Sequence, residues 1–164
     1  MKIDSQSLKS EIFSSASPVI RVDHIAIVSR QSNKIRTLFN KLGILKTWEG
    51  IVPEIKVNCE YFSFPNIDVE IVDPISENSI VGNYFRMNPS SPIHHIALEV
   101  TSLQEGIDYF KGKGYYPING EIYLAPKLNH IVVFLSPFQT GGLLIELVAD
   151  DPIEYANRKI RNHE

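Results

Sequence analysis

Long hydrophobic runs are missing from this 164-residue chain, and no apolar stretch approaches the ~20 residues of a membrane-spanning helix. Cysteine is nearly missing too. Cys59 alone cannot close an internal disulfide, so nothing in the chain demands an oxidising compartment. There is no excess of positive charge. Against 19 Asp and Glu stand 16 Lys and Arg, and the net charge of −3 offers no basic face to nucleic acid or an anionic membrane. The first residues carry Lys2, Asp4, Lys9 and Glu11 among serines, without the apolar centre of a signal peptide. These shortages predict a soluble cytoplasmic protein without nucleic-acid or membrane partners. With 43% hydrophobic residues the chain is long enough to bury a sizeable core.

What is present is a repeat. Ile93-His94-His95-Ile96-Ala97-Leu98-Glu99-Val100 echoes Val22-Asp23-His24-Ile25-Ala26-Ile27-Val28, 71 residues earlier. The same offset superposes Phe39 on Phe110 and Gly43 on Gly114. A second echo follows each copy: Val69-Glu70-Ile71-Val72-Asp73, then Ile145-Glu146-Leu147-Val148-Ala149-Asp150. The order His, Glu, His, Glu implies two similar halves that each give one imidazole and one carboxylate.

The pattern predicts an α+β fold of two βαβββ modules, over residues 19–88 and 93–150, forming a curved mixed sheet with a concave face. A polar leader (1–18), with a possible short helix over 6–13, and a tail (151–164) flank them. In the first module, alternation from Ile20 to Val28 predicts a strand that puts His24 and Ala26 on one face. Ser32 is expected to cap a helix carrying Ile35, Leu38, Phe39 and Leu42, with Gly43 just past its end. Trp48 to Pro53 reads as a connection, and Lys56–Phe64 and Ile67–Val72 as paired strands. A short helix is expected within Ser76–Met87. The stretch Pro89-Ser90-Ser91-Pro92 marks the boundary. In the second module, Ser102-Leu103-Gln104-Glu105 is a capping box for a helix ending at Gly114. A short strand within Ile118–Tyr123 then precedes the pair Asn129–Leu135 and Leu143–Val148.

Glu70 and Glu146 each sit inside an apolar strand, where a lone carboxylate costs several kcal/mol unless it is paired, protonated or metal-bound. A half-exposed sheet with a wet face would explain either one alone. Both together, at equivalent points of a repeat and matched by His24 and His95, point to a shared centre. Two imidazoles and two carboxylates suit Co²⁺, Mn²⁺, Ni²⁺, Zn²⁺ or Fe²⁺, with open positions for a substrate on an octahedral ion. Alternation sends His94 to the face opposite His95, as a hydrogen-bonded core or surface histidine. The side of the strand taken by His130 is not fixed by the pattern. His163 belongs to the tail, and Cys59 reads as a small buried hydrophobe.

These segments, with Val133-Phe134-Leu135-Ser136-Pro137 and Gly142-Leu143-Leu144-Ile145-Glu146-Leu147, resemble the vicinal oxygen chelate (glyoxalase/bleomycin resistance/dioxygenase) superfamily. The doubled His94-His95 and the Gly-x-Leu-Ile-Glu-Leu ending resemble its methylmalonyl-CoA epimerase branch. The resemblance implies a divalent metal held by His24, Glu70, His95 and Glu146. It also implies epimerisation of a 2-methylmalonyl-CoA-like acyl thioester by α-proton abstraction through a metal-stabilised enolate, and a homodimer. Glu146 and Glu60 are the implied catalytic residues. Glu60 is the nearest acid to the family's first-half base, one residue out of register, with Lys56 and Glu99 behind it. Ser91-Pro92 replaces the family's glycine pair, and Phe138 stands where a lysine is common. The alternatives are a lactoylglutathione lyase-like isomerase using the same ligands and a non-catalytic small-molecule-binding or resistance protein of the same fold.

Overall fold

The computed structural model describes residues 16–29, 31–53, 55–88, 92–125, 127 and 130–150. Most of the expected leader, the linker residues 89–91, the tail and His163 lie outside them. In chain order the elements are β1 (Val19–Ile27), α1 (Ser32–Lys41), β2 (Lys46–Val52), β3 (Val57–Ser63), β4 (Asp68–Pro74) and α2 (Ile80–Met87). The second half contributes β5 (Ile93–Val100), α3 (Leu103–Gly112), β6 (Tyr123–Leu124), β7 (Ile131–Leu135) and β8 (Leu144–Ala149). All eight strands form one mixed sheet in the order β2-β3-β4-β1-β5-β8-β7-β6, so the halves join along the antiparallel β1–β5 pair. The α+β architecture of a curved mixed sheet is as the repeat predicts.

The join carries the duplication in its register. His24 lies opposite Ala97, Ile25 opposite Ile96, and Ala26 opposite His95. Exchanging the two strands maps each histidine onto the other, about the Ile25–Ile96 pair. Parallel pairing then sets Ala26 beside Glu70 on β4 and Ala97 beside Glu146 on β8. Residues paired across a sheet share a face. Both histidines and both glutamates therefore project from the same concave side.

The opposite face is packed by helices. Phe39 and Ile35 of α1 cover Phe62, Val69 and Ile71, while Leu103, Ile107 and Phe110 of α3 cover Ile131, Val133, Leu135 and Leu147. Gly43 (φ 72°) and Gly114 (φ 87°) end these two helices in the left-handed region that glycine enters most easily. Ser102 caps α3 by accepting from the Glu105 amide, whereas Ser32 is the first residue of α1 rather than its cap and accepts from Arg36 Nη1. Helix α2 packs Val81, Tyr84 and Phe85 against Val28, Cys59, Tyr61 and Val72, closing one end of the concave face.

Two expectations about elements need correction. Residues 48–52 are an edge strand, not a connection: β2 pairs antiparallel with β3, and Trp48 folds over Gly50, where an added Cβ would meet the indole at 2.4 Å. The short strand expected within Ile118–Tyr123 is shifted to Tyr123–Leu124, with a lone bridge between Pro117 and Leu135 upstream.

Candidate metal centre

Four buried side chains converge at the middle of the concave face. His24 Nε2 and His95 Nε2 face each other at 3.0 Å. Glu70 Oε2 lies 3.4 Å from the first and 3.5 Å from the second, and Glu146 Oε2 lies 3.3 Å and 3.5 Å from them. His24, Glu70 and His95 each offer one ligand atom, all within 4.8 Å of one another. The structure thus brings together the four residues that the sequence pairs by repeat.

Charge is the reason this arrangement asks for a cation. Burial resists charge on His24, but hydrogen bonds to Asp23 and Glu70 and the charge of Glu146 push its pKa up to about 10. Burial would raise Glu70 as well, and the His24 hydrogen bond with the positive field of both histidines holds it down to about 2. Glu146 Oε2 is buried and accepts no hydrogen bond. An orphaned carboxylate oxygen this deep is costly unless a cation neutralises it. Two imidazole nitrogens, two carboxylates and no thiolate fit a hard-to-borderline divalent ion.

Aromatic rings flank the cluster. Tyr61 stands edge-on to His24 with ring centroids 5.2 Å apart, and Phe134 stands edge-on to His95 at 5.5 Å. Burial and the negative charges of Glu70 and Glu146 push the Tyr61 phenol well above its usual pKa, so it stays protonated. The Cys59 thiol is likewise pushed up by burial and by Glu70, to which it is hydrogen-bonded. Beside the cluster opens a cavity of about 80 Å³ whose lining includes Asp23, Tyr61, Lys127, His130 and Glu146. At its mouth Lys127 pairs with Asp68 and sits 4.2 Å above the Tyr61 ring.

Glu60 is not part of this site. It lies opposite Ile71, whereas Tyr61 lies opposite Glu70, so Glu60 points to the helix-covered side of the sheet. There Arg36 Nε bonds its carboxylate, Lys46 Nζ approaches to 3.2 Å, and the second arm of Arg36 bonds Asp73. Glu99 is paired with Arg21 at 2.5 Å, and Lys56 occupies a turn at φ 54°. His94 also departs from expectation. It is buried beside His95, its Nδ1 2.9 Å from His95 Nδ1, and burial with the charge of His95 pulls its pKa down to about 3. Tyr61, Asp68 and Lys127 carried no sequence signal, because only the fold brings Lys127 within reach of strands some sixty residues earlier. His130 does line the cavity.

Residues 23–134 match the model of the glyoxalase/bleomycin resistance protein/dioxygenase superfamily. The chain belongs to this superfamily. Among its relatives is the ethylmalonyl-CoA/methylmalonyl-CoA epimerase of Cereibacter sphaeroides, 29% identical over 132 residues that span 77% of this chain and 96% of that protein. The crystal structure of methylmalonyl-CoA epimerase from Mycobacterium tuberculosis superposes with a TM-score of 0.75 at 21% identity, covering 90% of this chain and 99% of that one. A Streptomyces coelicolor methylmalonyl-CoA epimerase variant in complex with 2-nitronate-propionyl-CoA superposes at 0.71 and 21% identity, covering 80% and 94%. The glyoxalase fold of the superfamily accounts for the doubled module and the concave sheet. Among the described residues, no helix is long and apolar enough to cross a membrane.

Proposed function

We propose that this protein is a divalent-metal-dependent epimerase of a 2-methylmalonyl-CoA-like acyl thioester. The reading rests on the buried His24–Glu70–His95–Glu146 cluster at the edge of a cavity, in a chain whose relatives carry the name of that reaction. His24, Glu70, His95 and Glu146 hold the ion. A divalent cation held there would supply Lewis-acid stabilisation of the negative charge that develops on the substrate.

The chain's own groups do the rest. Glu146 lines the cavity as well as the cluster, and we assign it the α-proton. The electron pair of the broken C–H bond moves onto the thioester carbonyl, and inversion follows when a donor distinct from Glu146, on the other face of the carbon, delivers a proton there. Tyr61 and Phe134 pack edge-on against the rings of His24 and His95 and steady them beside the reacting carbon. Arg21 and Lys127 are the cations of the cavity wall, paired with Asp23 and Asp68, and offer the carboxylate or phosphates of an acyl-CoA a partner by exchange. Glu60, fixed on the far face, is not the second acid/base group. The exposed Ile51 on edge strand β2 and the exposed Ile75, Ile80 and Met87 near α2 support a homodimer, and a single cysteine suits the cytoplasm.

The experiment is α-proton exchange of methylmalonyl-CoA in deuterated water, followed by NMR on metal-loaded and metal-stripped protein. Exchange that requires the metal and falls at least a hundredfold in Glu146→Gln supports the proposal. Turnover of a glutathione hemithioacetal with no α-proton exchange would make the protein a glyoxalase-type lyase instead.

A further inference from the structure

The β1–β5 ladder is interrupted on either side of the His24–Ala97, Ile25–Ile96 and Ala26–His95 pairs. Val22 lies opposite Leu98 and His24 opposite Ala97, so Asp23 is an extra residue on β1. At the other end Ala26 lies opposite His95 and Ile27 opposite Ile93, so His94 is an extra residue on β5. A third shift falls at Ile20, away from the centre; the other two are β-bulges, one per half, at the residue immediately before each histidine of the centre. In a regular strand that residue would point to the opposite face; a bulge bends the strand and re-aims it. The result is the same in both halves. Asp23 Oδ2 lies 2.9 Å from His24 Nδ1, and His94 Nδ1 lies 2.9 Å from His95 Nδ1.

We propose that Asp23 and His94 are positioning residues, brought by paired bulges to accept the Nδ1 proton of His24 and of His95 and so aim both Nε2 lone pairs at one point. An imidazole whose Nδ1–H is held by an acceptor presents Nε2 as its free donor, with the ring unable to turn. Arg21 holds the other oxygen of Asp23 at 2.6 Å, and Tyr84 packs edge-on to His94 with ring centroids 4.7 Å apart. Each acceptor is therefore fixed in turn. The halves differ in kind: His24 is backed by an anion, His95 by an imidazole. The pair is therefore not chemically interchangeable, although the sheet treats it symmetrically.

This assignment rests on the metal reading above, and its test separates the two. Zn²⁺ affinity is measured by chelator competition, and imidazole ¹⁵N spectra are recorded with and without Zn²⁺. In the Zn²⁺ form, His24 and His95 should both show a protonated Nδ1 and a ligated Nε2. Asp23→Ala and His94→Phe should each weaken Zn²⁺ binding by roughly 10- to 100-fold, as loss of such a partner does elsewhere. Asp23→Asn and His94→Gln, which keep an oxygen acceptor, should recover most of it and guard against misfolding. Unchanged affinity in Asp23→Ala and His94→Phe, or ligation through Nδ1, overturns the assignment. A wild-type protein that takes up no Zn²⁺ or other divalent ion sinks the metal reading. In that case the Nδ1 protons of the metal-free protein decide whether the two partners still orient the rings, and their loss in Asp23→Ala and His94→Phe would say that they do.

Discussion

His24 Nε2 and His95 Nε2 are 3.0 Å apart, with each ring's Nδ1 already engaged by the residue before it. Two facing lone pairs repel unless something positive lies between them, and without a metal that is a proton. The carboxylates around the pair hold this proton firmly, with the His24 pKa near 10.

Metal uptake must therefore displace a proton. At pH 8 we expect about one proton released per divalent ion, and affinity that falls roughly tenfold for each pH unit below 10. Glu70, already ionised with its pKa near 2, adds none in this range. Calorimetry in buffers of different ionisation enthalpy reads the proton count. Metal binding with no proton release between pH 7 and 9 would contradict the picture.

The same groups set the stability of the metal-free protein against pH. His24, raised to about 10, contributes stability that is complete below pH 6.5 and lost as pH climbs through 10. Glu70, depressed to about 2, contributes stability present above 4.5 and lost as pH falls through 2. His94, depressed to about 3, is neutral when folded and charged when unfolded between pH 3 and 6.5, so stability declines as pH falls through that window. The three together place the maximum Tm of the stripped protein near pH 6.5. Saturating metal should flatten the alkaline side, and an unchanged profile would show that the ion does not replace the His24 proton.

The sequence carried more of the centre than of its setting. Repetition exposed His24, Glu70, His95 and Glu146 because a buried ionisable group in an apolar strand is conspicuous, and a twofold recurrence makes it more so. Gly43 and Gly114 marked the ends of equivalent helices for a local reason, their positive φ. Asp23 drew no reading, and the side taken by His94 was misjudged, because strict alternation assumes an unbroken ladder and a bulge leaves no trace in hydrophobic periodicity. Strand β2 was missed because Gly50 interrupts its pattern while serving as the space for Trp48. Nothing local ties Lys127 to Asp68.

Glu60 is the clearest case of parity deciding a role. Its carboxylate is buried among Arg36 and Lys46, away from the cavity. Removing Arg36 leaves Glu60 with Lys46 alone, and Arg36→Ala should cost roughly 1.5–3 kcal/mol by chemical denaturation. Glu60→Gln removes the charge that needs Arg36, so it should be milder and leave the rate of α-proton exchange within about twofold. An exchange rate that collapses in a folded Glu60→Gln protein would return Glu60 to the chemistry.

Lys127 ties the second half to the first at the cavity mouth, bonding Asp68 and resting 4.2 Å above the Tyr61 ring. It is the cation of the wall that a substrate carboxylate or phosphate meets without unseating a ligand of the metal. Exchanging Asp68 for a substrate anion keeps the ammonium paired, so binding there need not leave a charge unmatched. A charge-assisted hydrogen bond contributes about 1.5–3 kcal/mol, which corresponds to roughly 10- to 100-fold in binding. Lys127→Met should raise KM for the acyl-CoA by that factor while divalent-metal affinity stays within about twofold. Asp68→Asn frees the ammonium and should lower KM. If Lys127→Met weakens the metal instead and leaves KM alone, Lys127 serves the frame of the site and not the substrate.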